Sequence, residues 1–169
     1  SAEYVKRCAS CYRRAADAVC EGSYTPELAA ELKKELAVVF NRGFWDGYYQ
    51  GAYLGQWSEV YGSQATHRKV YCGKVTNWFD RVGVVEITVE STPISHGDKL
   101  MAIGATTGVV EFEVGELRVN LQPVETAAKG VRCSVMVDPS ICPGGRLRRG
   151  DKVYVWKENV SDEELVKNS

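Results

Sequence analysis

The sequence from Val84 to Val89 reads Val-Val-Glu-Ile-Thr-Val, and its apolar residues at 85, 87 and 89 alternate with other residues. Successive side chains of a β-strand point to opposite faces, so this period of two predicts a half-buried strand. The same alternation recurs throughout the sequence after about Arg68, broken by Gly, Pro and Asp. It predicts six to seven short strands, a spacing that favours a closed or nearly closed antiparallel β-barrel. The other runs lie at 70–72, 99–103, 110–114, 117–121, 131–137 and 153–155.

Two turns in this half of the chain share the sequence Gly-Asp-Lys-apolar, at Gly97–Leu100 and at Gly150–Val153. Glycine can supply a positive φ, and an aspartate side chain can accept hydrogen bonds from nearby backbone amides. We therefore interpret Asp98 and Asp151 as turn formers rather than as acid–base groups.

The first forty residues predict a helical hairpin, because their apolar residues recur at steps of three and four. Gly22 is expected to end the first helix, and Thr25 is expected to cap a second helix that begins with Pro26. The stripe predicted to be buried on the first helix is Val5, Cys8, Tyr12, Ala15, Ala16 and Val19, and that on the second is Leu28, Leu32, Leu36 and Val39.

Between residues 41 and 67 neither period fits, and glycines are interspersed with aromatic rings. Large rings bury much area, so we predict an ordered connector that packs against a partner. The predicted fold class is α+β: a helical hairpin at 1–40, this connector at 41–67, a β-barrel at 68–158 and a frayed tail at 159–169.

Composition narrows the class of protein. The chain has 169 residues, 44% of them hydrophobic and 25% charged, with a formal charge of -1, which excludes intrinsic disorder as its main state. Its apolar runs fall far short of the roughly 20 residues that cross a bilayer, so we expect a soluble, cytoplasmic protein without a membrane partner. The first residue is Ser1, and no apolar signal segment follows, so we expect that a preceding piece has been removed.

The candidates for metal and catalytic chemistry are few. Cys8 and Cys11 have a spacing that suits zinc, an iron–sulfur cluster or a redox dithiol, but the other four cysteines are isolated, so we favour packing roles for reduced thiols. His67 and His96 lie in no zinc-binding spacing. We predict no catalytic residue, no metal and no cofactor in this chain.

The dense basic cluster comprises Arg146, Arg148, Arg149 and Lys152. On a barrel loop such a cluster can meet phosphate or an acidic protein face. It can equally be the solvated end of a hairpin, and the residues alone leave both interpretations open.

Two stretches, Ser1-Ala-Glu-Tyr-Val5 with Tyr12–Asp17, and Asn41-Arg-Gly-Phe-Trp-Asp-Gly-Tyr-Tyr-Gln-Gly51, resemble the region after the catalytic barrel of the collagenase-like peptidases of family U32. The sequence at 147–153 is similar to the second domain of translation elongation factor Tu. The resemblance implies an N-terminal TIM-type barrel, absent here, to which the proposed activities of proteolysis or of RNA and quinone hydroxylation belong.

We therefore predict a non-catalytic binding module, inactive by itself, that docks on its own N-terminal catalytic barrel or positions a protein or peptide substrate. The alternative is an RNA-binding barrel of an RNA-hydroxylating member, acting through the basic cluster. The predicted partner-binding residues are Arg42, Gly43, Phe44, Trp45, Tyr48, Tyr49 and Trp57, because aromatic side chains suit protein contacts.

Overall fold

The computed structural model describes residues 2–39, 44 and 65–158. The chain divides into two compact units, a helical unit within Glu3–Arg68 and a β-sheet unit at Lys69–Lys157. Two helices followed by antiparallel strands confirm the predicted α+β class. Within the described residues, no helix combines the length and apolar content needed to span a bilayer.

The helical unit contains helices α1 (Ala2–Glu21) and α2 (Pro26–Ala37). Gly22 ends α1 with a φ of 72°. Thr25 caps α2, because its Oγ1 accepts a hydrogen bond of 3.2 Å from the backbone N–H of Leu28. Both ends are local features, and both confirm the prediction.

The helices α1 and α2 contact each other in an antiparallel arrangement. The guanidinium of Arg14 on α1 pairs with Glu31, at 2.6 Å, and with Glu35, both on α2. Nearer the start of α1, the Cys11 thiol donates to Glu35 Oε2 at 3.6 Å. The predicted stripe of α2 is confirmed, with Leu32 and Val39 buried and Leu28 and Leu36 half-buried.

The buried face of α1 differs from the predicted stripe. Val5, Tyr12 and Val19 were predicted to be buried, yet they are 62%, 71% and 61% exposed. The prediction is wrong because a period of 3.6 identifies an apolar face but not the neighbour that covers it. The residues that α1 buries are Glu3, Cys11 and Ala18.

The β-sheet unit holds an eight-stranded sheet in the order β5-β4-β10-β1-β2-β9-β6-β7, and a separate pair, β3 and β8. Strand β10 therefore lies between β4 and β1. The strands are β1 (His67–Phe79), β2 (Val84–Val89), β3 (Ile94–Ser95), β4 (Lys99–Gly104), β5 (Gly108–Glu113), β6 (Leu117–Val119), β7 (Gln122–Pro123), β8 (Thr126–Ala127), β9 (Arg132–Met136) and β10 (Lys152–Glu158).

One hydrophobic core lies on the inner face of the sheet. In β2 the burial alternates as predicted, with Val85, Ile87 and Val89 at 0% exposure. Leu100 of β4 and Val153 of β10 join the same cluster of buried side chains. Each such aliphatic side chain stabilises the fold by about 1.5–3 kcal/mol when it leaves water.

Each predicted alternating run contains a strand, but the predicted number of strands and the barrel closure are not confirmed. Three further strands, β3, β7 and β8, have two residues each, too few to display an alternation. The sheet order begins with β5 and ends with β7, and no pairing between those two edges is described.

The run predicted at 117–121 ends earlier than expected. Asn120 and Leu121 have φ values of 50° and 66° and connect the paired residues Val119 and Gln122. Two successive positive φ values are the geometry of a tight hairpin turn. Leu121 is therefore a turn residue, 81% exposed, rather than a strand residue.

The two Gly-Asp turns have the same hydrogen bonding. Gly97 and Gly150 have φ values of 81° and 93°, as the prediction requires. Asp98 Oδ2 accepts from the backbone N–H of Ser95, and Asp151 Oδ2 accepts from that of Arg148, both at 2.8 Å. The interpretation of both aspartates as turn formers is thus supported by their contacts.

Each turn is also attached to a distant strand segment. Gly150 N–H donates to the carbonyl of Val75 at 2.8 Å, and Val75 N–H donates to the carbonyl of Asp151 at 2.9 Å. Gly97, Asp98 and Val114 form the equivalent pair of bonds at the same two distances. The turn before β10 is in this way held against the middle of β1.

Candidate functional site

The turn before β10 forms one wall of a groove of about 500 Å³, here called the arginine groove. Strands β1, β2 and β9 supply the other residues. The groove brings four arginines together with one lining carboxylate, Glu86, so its electrostatic character is positive although the whole chain is close to neutral. Its lining residues are Thr76, Asn77, Trp78, Glu86, Arg132, Arg146, Leu147, Arg148 and Arg149.

Two neighbours fix the arginine-bearing segment in place. Leu147 is 1% exposed and belongs to the hydrophobic core, so the segment is anchored between Arg146 and Arg148. Asp151, 5% exposed, accepts hydrogen bonds from the Arg148 backbone N–H and from the hydroxyl of Thr107, at 2.8 and 2.6 Å. The arginines thus project from a backbone that is bonded on both sides.

Two N–H donors of the arginine groove lack an acceptor. Trp78 Nε1 and Arg148 Nη1 are inaccessible to solvent and have no hydrogen-bond partner among the described residues. A buried donor without an acceptor costs about 1–3 kcal/mol. The two donors therefore favour a ligand that offers acceptor oxygens.

A β-bulge shapes the junction of β1 and β2. The pairing register shifts between Val75 and Asn77, which leaves Thr76 outside the regular ladder. The Thr76 hydroxyl donates to Glu86 Oε1 at 2.8 Å, and the same oxygen lies 3.9 Å from the Arg132 guanidinium. Glu86 is thereby held at the border of the groove.

A second groove, of about 780 Å³, lies beyond Glu86 and Arg132, which line both cavities. We call it the aliphatic groove, because most of its lining is apolar. Its charged residues Glu116 and Arg118 pair with each other at 2.7 Å. The other lining residues are Phe79, Val82, Val84, Asn120, Leu121, Ser134, Val135 and Met136.

The structure brings only part of the predicted basic cluster together. Arg146, Arg148 and Arg149 line the arginine groove, whereas Lys152 is exposed on β10 and lies outside its lining. Of the predicted partner-binding residues, Phe44 is 54% exposed. The others, Arg42, Gly43, Trp45, Tyr48, Tyr49 and Trp57, lie outside the described residues.

The buried thiols of the β-sheet unit are held in their protonated form. Burial raises the pKa of Cys72 to about 11 and that of Cys133 to about 12, and it also raises the pKa of Cys142. In the helical unit, burial and the Glu35 carboxylate raise the pKa of Cys11. Among the described residues, no three His, Cys, Asp or Glu side chains come close enough to hold a metal ion.

Comparison with known proteins identifies the family. The model of peptidase family U32 matches residues 1–58. A collagenase of Porphyromonas gingivalis is 46% identical over 150 residues, which is 89% of this chain and 36% of that protein. The chain belongs to peptidase family U32. This confirms the predicted resemblance to the C-terminal region of these peptidases.

Other relatives are similar to this U32 chain over comparable lengths. An uncharacterized protease of Methanocaldococcus jannaschii is 36% identical over 164 residues, 95% of this chain and 38% of that protein. The U32 chain therefore spans well under half the length of these curated relatives. The crystal structure of the C-terminal domain of a "putative U32 peptidase" from Geobacillus thermoleovorans has a TM-score of 0.45 and 12% identity, over 53% of this chain and 92% of that domain.

Sequence reasoning missed several groove residues of the U32 chain. Arg132 is separated from the basic cluster along the sequence, and only the register between β2 and β9 places it beside Glu86. Met136 and Leu121 carry no local signal, because an outward apolar residue resembles any other residue of a strand or turn. The neutral pairing of Glu116 with Arg118 was likewise not predicted.

Proposed function

We propose that this U32 chain is a non-catalytic C-terminal accessory module. Its helical unit docks on the N-terminal catalytic barrel of a longer polypeptide, and its β-sheet unit positions a protein or peptide substrate. The observation that carries the proposal is an exposed apolar stripe on α1.

The α1 stripe consists of Tyr4, Val5, Tyr12 and Val19, which recur on one face of the helix at helical spacing. Their exposed fractions run from 42% for Tyr4 to 71% for Tyr12. An exposed apolar patch of this kind is costly in water and marks an interaction surface. A catalytic domain that precedes the chain is the occupant we propose, and the aromatic residues Trp45 and Tyr48 would extend the interface.

The extent of the family match supports this division of labour. The family model covers residues 1–58, which include α1 and α2 but none of the described strands. The helical unit thus carries the sequence features of the peptidase family, whereas the β-sheet unit is additional to them. For the β-sheet unit we propose a barrel of translation-factor type, supported by the single core to which strands on both sides of β1 contribute.

The non-catalytic role is supported by the state of the side chains that would perform chemistry. The raised pKa values of Cys72 and Cys133 keep them as thiols near neutral pH, and a thiol is a poor nucleophile. Asp98 and Asp151 accept hydrogen bonds from backbone N–H groups within their own turns. These side chains stabilise the fold.

Hydrogen exchange tests the docking step. The amide exchange of α1 would be compared between the 169-residue chain and a polypeptide that carries it after its N-terminal domain. We expect the longer protein to protect α1, and Val19→Asp, a change on the α1 stripe, to remove that protection. The matched control is Ser10→Asp on another, polar face of the helix. Equal exchange of α1 in the two proteins would refute the proposal.

RNA binding is the second candidate function, and the cluster of arginines in the arginine groove favours it. Phosphate groups bind to local positive charge, and each neutralised phosphate releases counterions. Gel shifts with structured RNA over a salt series test this candidate. Binding that weakens steeply with salt would support it, and absent or salt-independent binding would exclude it.

A further inference from the structure

We infer that the arginine groove and the aliphatic groove together bind one extended peptide segment, in which acidic side chains are followed by apolar ones. This inference rests on the proposed function, because it names the class of substrate that the β-sheet unit positions. It commits to a peptide rather than a nucleic acid for reasons that lie in the lining of the two grooves.

The two grooves are continuous. Glu86 and Arg132 line both of them, and Met136, at the other end of β9, lines only the aliphatic groove. Four residues of strand separate Arg132 from Met136, a distance of about 13 Å. A ligand that reaches from one groove to the other is therefore roughly four extended residues long.

The arginine groove selects the acidic part of the ligand. Four guanidinium groups face one carboxylate in its lining, and that carboxylate, Glu86, already accepts a hydrogen bond from Thr76. The N–H donors Trp78 Nε1 and Arg148 Nη1 need acceptors. A carboxylate meets both requirements, because it carries negative charge and accepts charge-assisted bonds from guanidinium groups.

The aliphatic groove selects the apolar part. Leu121, Met136 and Val82 are 81%, 61% and 59% exposed, although each is a large apolar side chain. They surround a cavity large enough for one or two side chains. Leu121 is presented by a turn with positive φ, a conformation unfavourable for a branched residue unless its exposure has a use.

An RNA strand fits this surface less well than a peptide does. Single-stranded bases bind by stacking on aromatic faces, whereas the aliphatic groove offers one ring, Phe79, among aliphatic side chains. The carboxylates of Glu86 and Glu116 also line this groove and would repel a phosphate backbone. A peptide with an apolar side chain avoids both penalties.

Fluorescence anisotropy on the 169-residue chain provides the test. The probe is a fluorescein-labelled peptide with two glutamates followed, one residue later, by leucine and phenylalanine. We expect saturable binding that weakens at least tenfold when both glutamates become glutamine, and at least tenfold when the two apolar residues become serine. A single-stranded RNA of similar length serves as the competing ligand.

Variants assign the binding to the grooves. Arg132→Gln and Leu121→Ser change exposed side chains, so the fold is expected to persist, and each should weaken peptide binding at least fivefold. The matched controls are Lys152→Gln and Ile141→Ser, a cation and an apolar residue that are exposed outside both grooves. The controls should bind the peptide as the unmodified chain does.

Three results would overturn the inference: no binding of the acidic-apolar peptide, equal binding of its neutral counterpart, or tighter binding of the RNA. None of these results affects the exchange of α1, which tests docking. Failure of the peptide together with protection of α1 would thus reject the ligand class and leave the accessory module in place.

Discussion

Thr107 Oγ1 donates a hydrogen bond of 2.6 Å to Oδ2 of Asp151, and the two residues are 0% and 5% exposed. The same oxygen accepts from the backbone N–H of Arg148. One buried carboxylate therefore joins the turn between β4 and β5 to the segment that carries the arginines. The position of the arginine groove depends on this bond.

Asp151→Ala should destabilise the β-sheet unit by about 3 kcal/mol, because it leaves the Thr107 hydroxyl and the Arg148 N–H buried without their acceptor. The equivalent change in the other Gly-Asp turn, Asp98→Ala, is the matched control. Asp98 is half-buried, and its carboxylate accepts from Ser95 alone among the bonds described, so we expect a loss of about 1 kcal/mol. Urea unfolding measures both, and an equal cost would contradict this account.

Gly104→Ala should also be destabilising, by about 2 kcal/mol, through overpacking against the Asp151 carboxylate. A Cβ at Gly104 would lie 1.8 Å from Asp151 Oδ1 and 2.6 Å from its Cγ. Gly115→Ala is the control, since a Cβ there meets no atom within 4 Å. Thermal unfolding should separate the two variants, and similar midpoints would show that the carboxylate moves aside.

Much of this turn chemistry could be predicted from the sequence, because it is local. Positive φ at Gly150 and the acceptor role of Asp151 follow from residue types within four positions, and so does the cap at Thr25. The strand that receives each turn could not be predicted. Val75 and Gly150 lie far apart in the sequence, and only the order of the strands brings them together.

The hydroxyl of Tyr71 makes stability depend on alkaline pH. Its 2.6 Å hydrogen bond to Glu90, together with burial, raises the pKa of Tyr71 to about 12. The unfolded tyrosine ionises near pH 10, so the stabilisation is complete below about pH 10 and is lost as the pH rises to about 12. We expect the unfolding free-energy difference between the unmodified chain and Tyr71→Phe to be constant from about pH 6 to 9 and to shrink above that range.

Glu90→Gln provides the control for this prediction. The bond from Tyr71 and the ammonium of Lys74, 2.7 Å from the same carboxylate, lower the pKa of Glu90 and keep it charged. In the Glu90→Gln background the alkaline effect of Tyr71→Phe should become smaller. An unchanged effect would assign the raised pKa to burial alone.

Thiol reactivity should follow burial. Cys20 is exposed, whereas Cys133 is 1% exposed and burial raises its pKa to about 12. At about pH 8 we expect iodoacetamide to modify Cys133 at least about a hundredfold more slowly than Cys20, because the thiolate is the reactive form. Peptide mapping by mass spectrometry measures both rates. Comparable rates in the native protein would indicate that the sheet opens.

The grooves were less accessible to prediction than the turns. The sequence indicated Arg146, Arg148 and Arg149 because they are close together, but it wrongly grouped Lys152 with them in one surface. A strand alternates its side chains, so Lys152 is directed by β10 and not by the turn. The exposed stripe of α1 was found as an apolar face, but its exposure depends on which side of α1 meets α2.

The central place of β10 in the sheet has a consequence for synthesis on the ribosome. Strands β1 and β4 are made early, yet the strand that separates them is the last of the ten. A nascent chain must hold two unsatisfied sheet edges apart until residue 158 has left the exit tunnel. Contacts of such long sequence separation form slowly. During that interval the newborn protein is most exposed to aggregation and most dependent on chaperones.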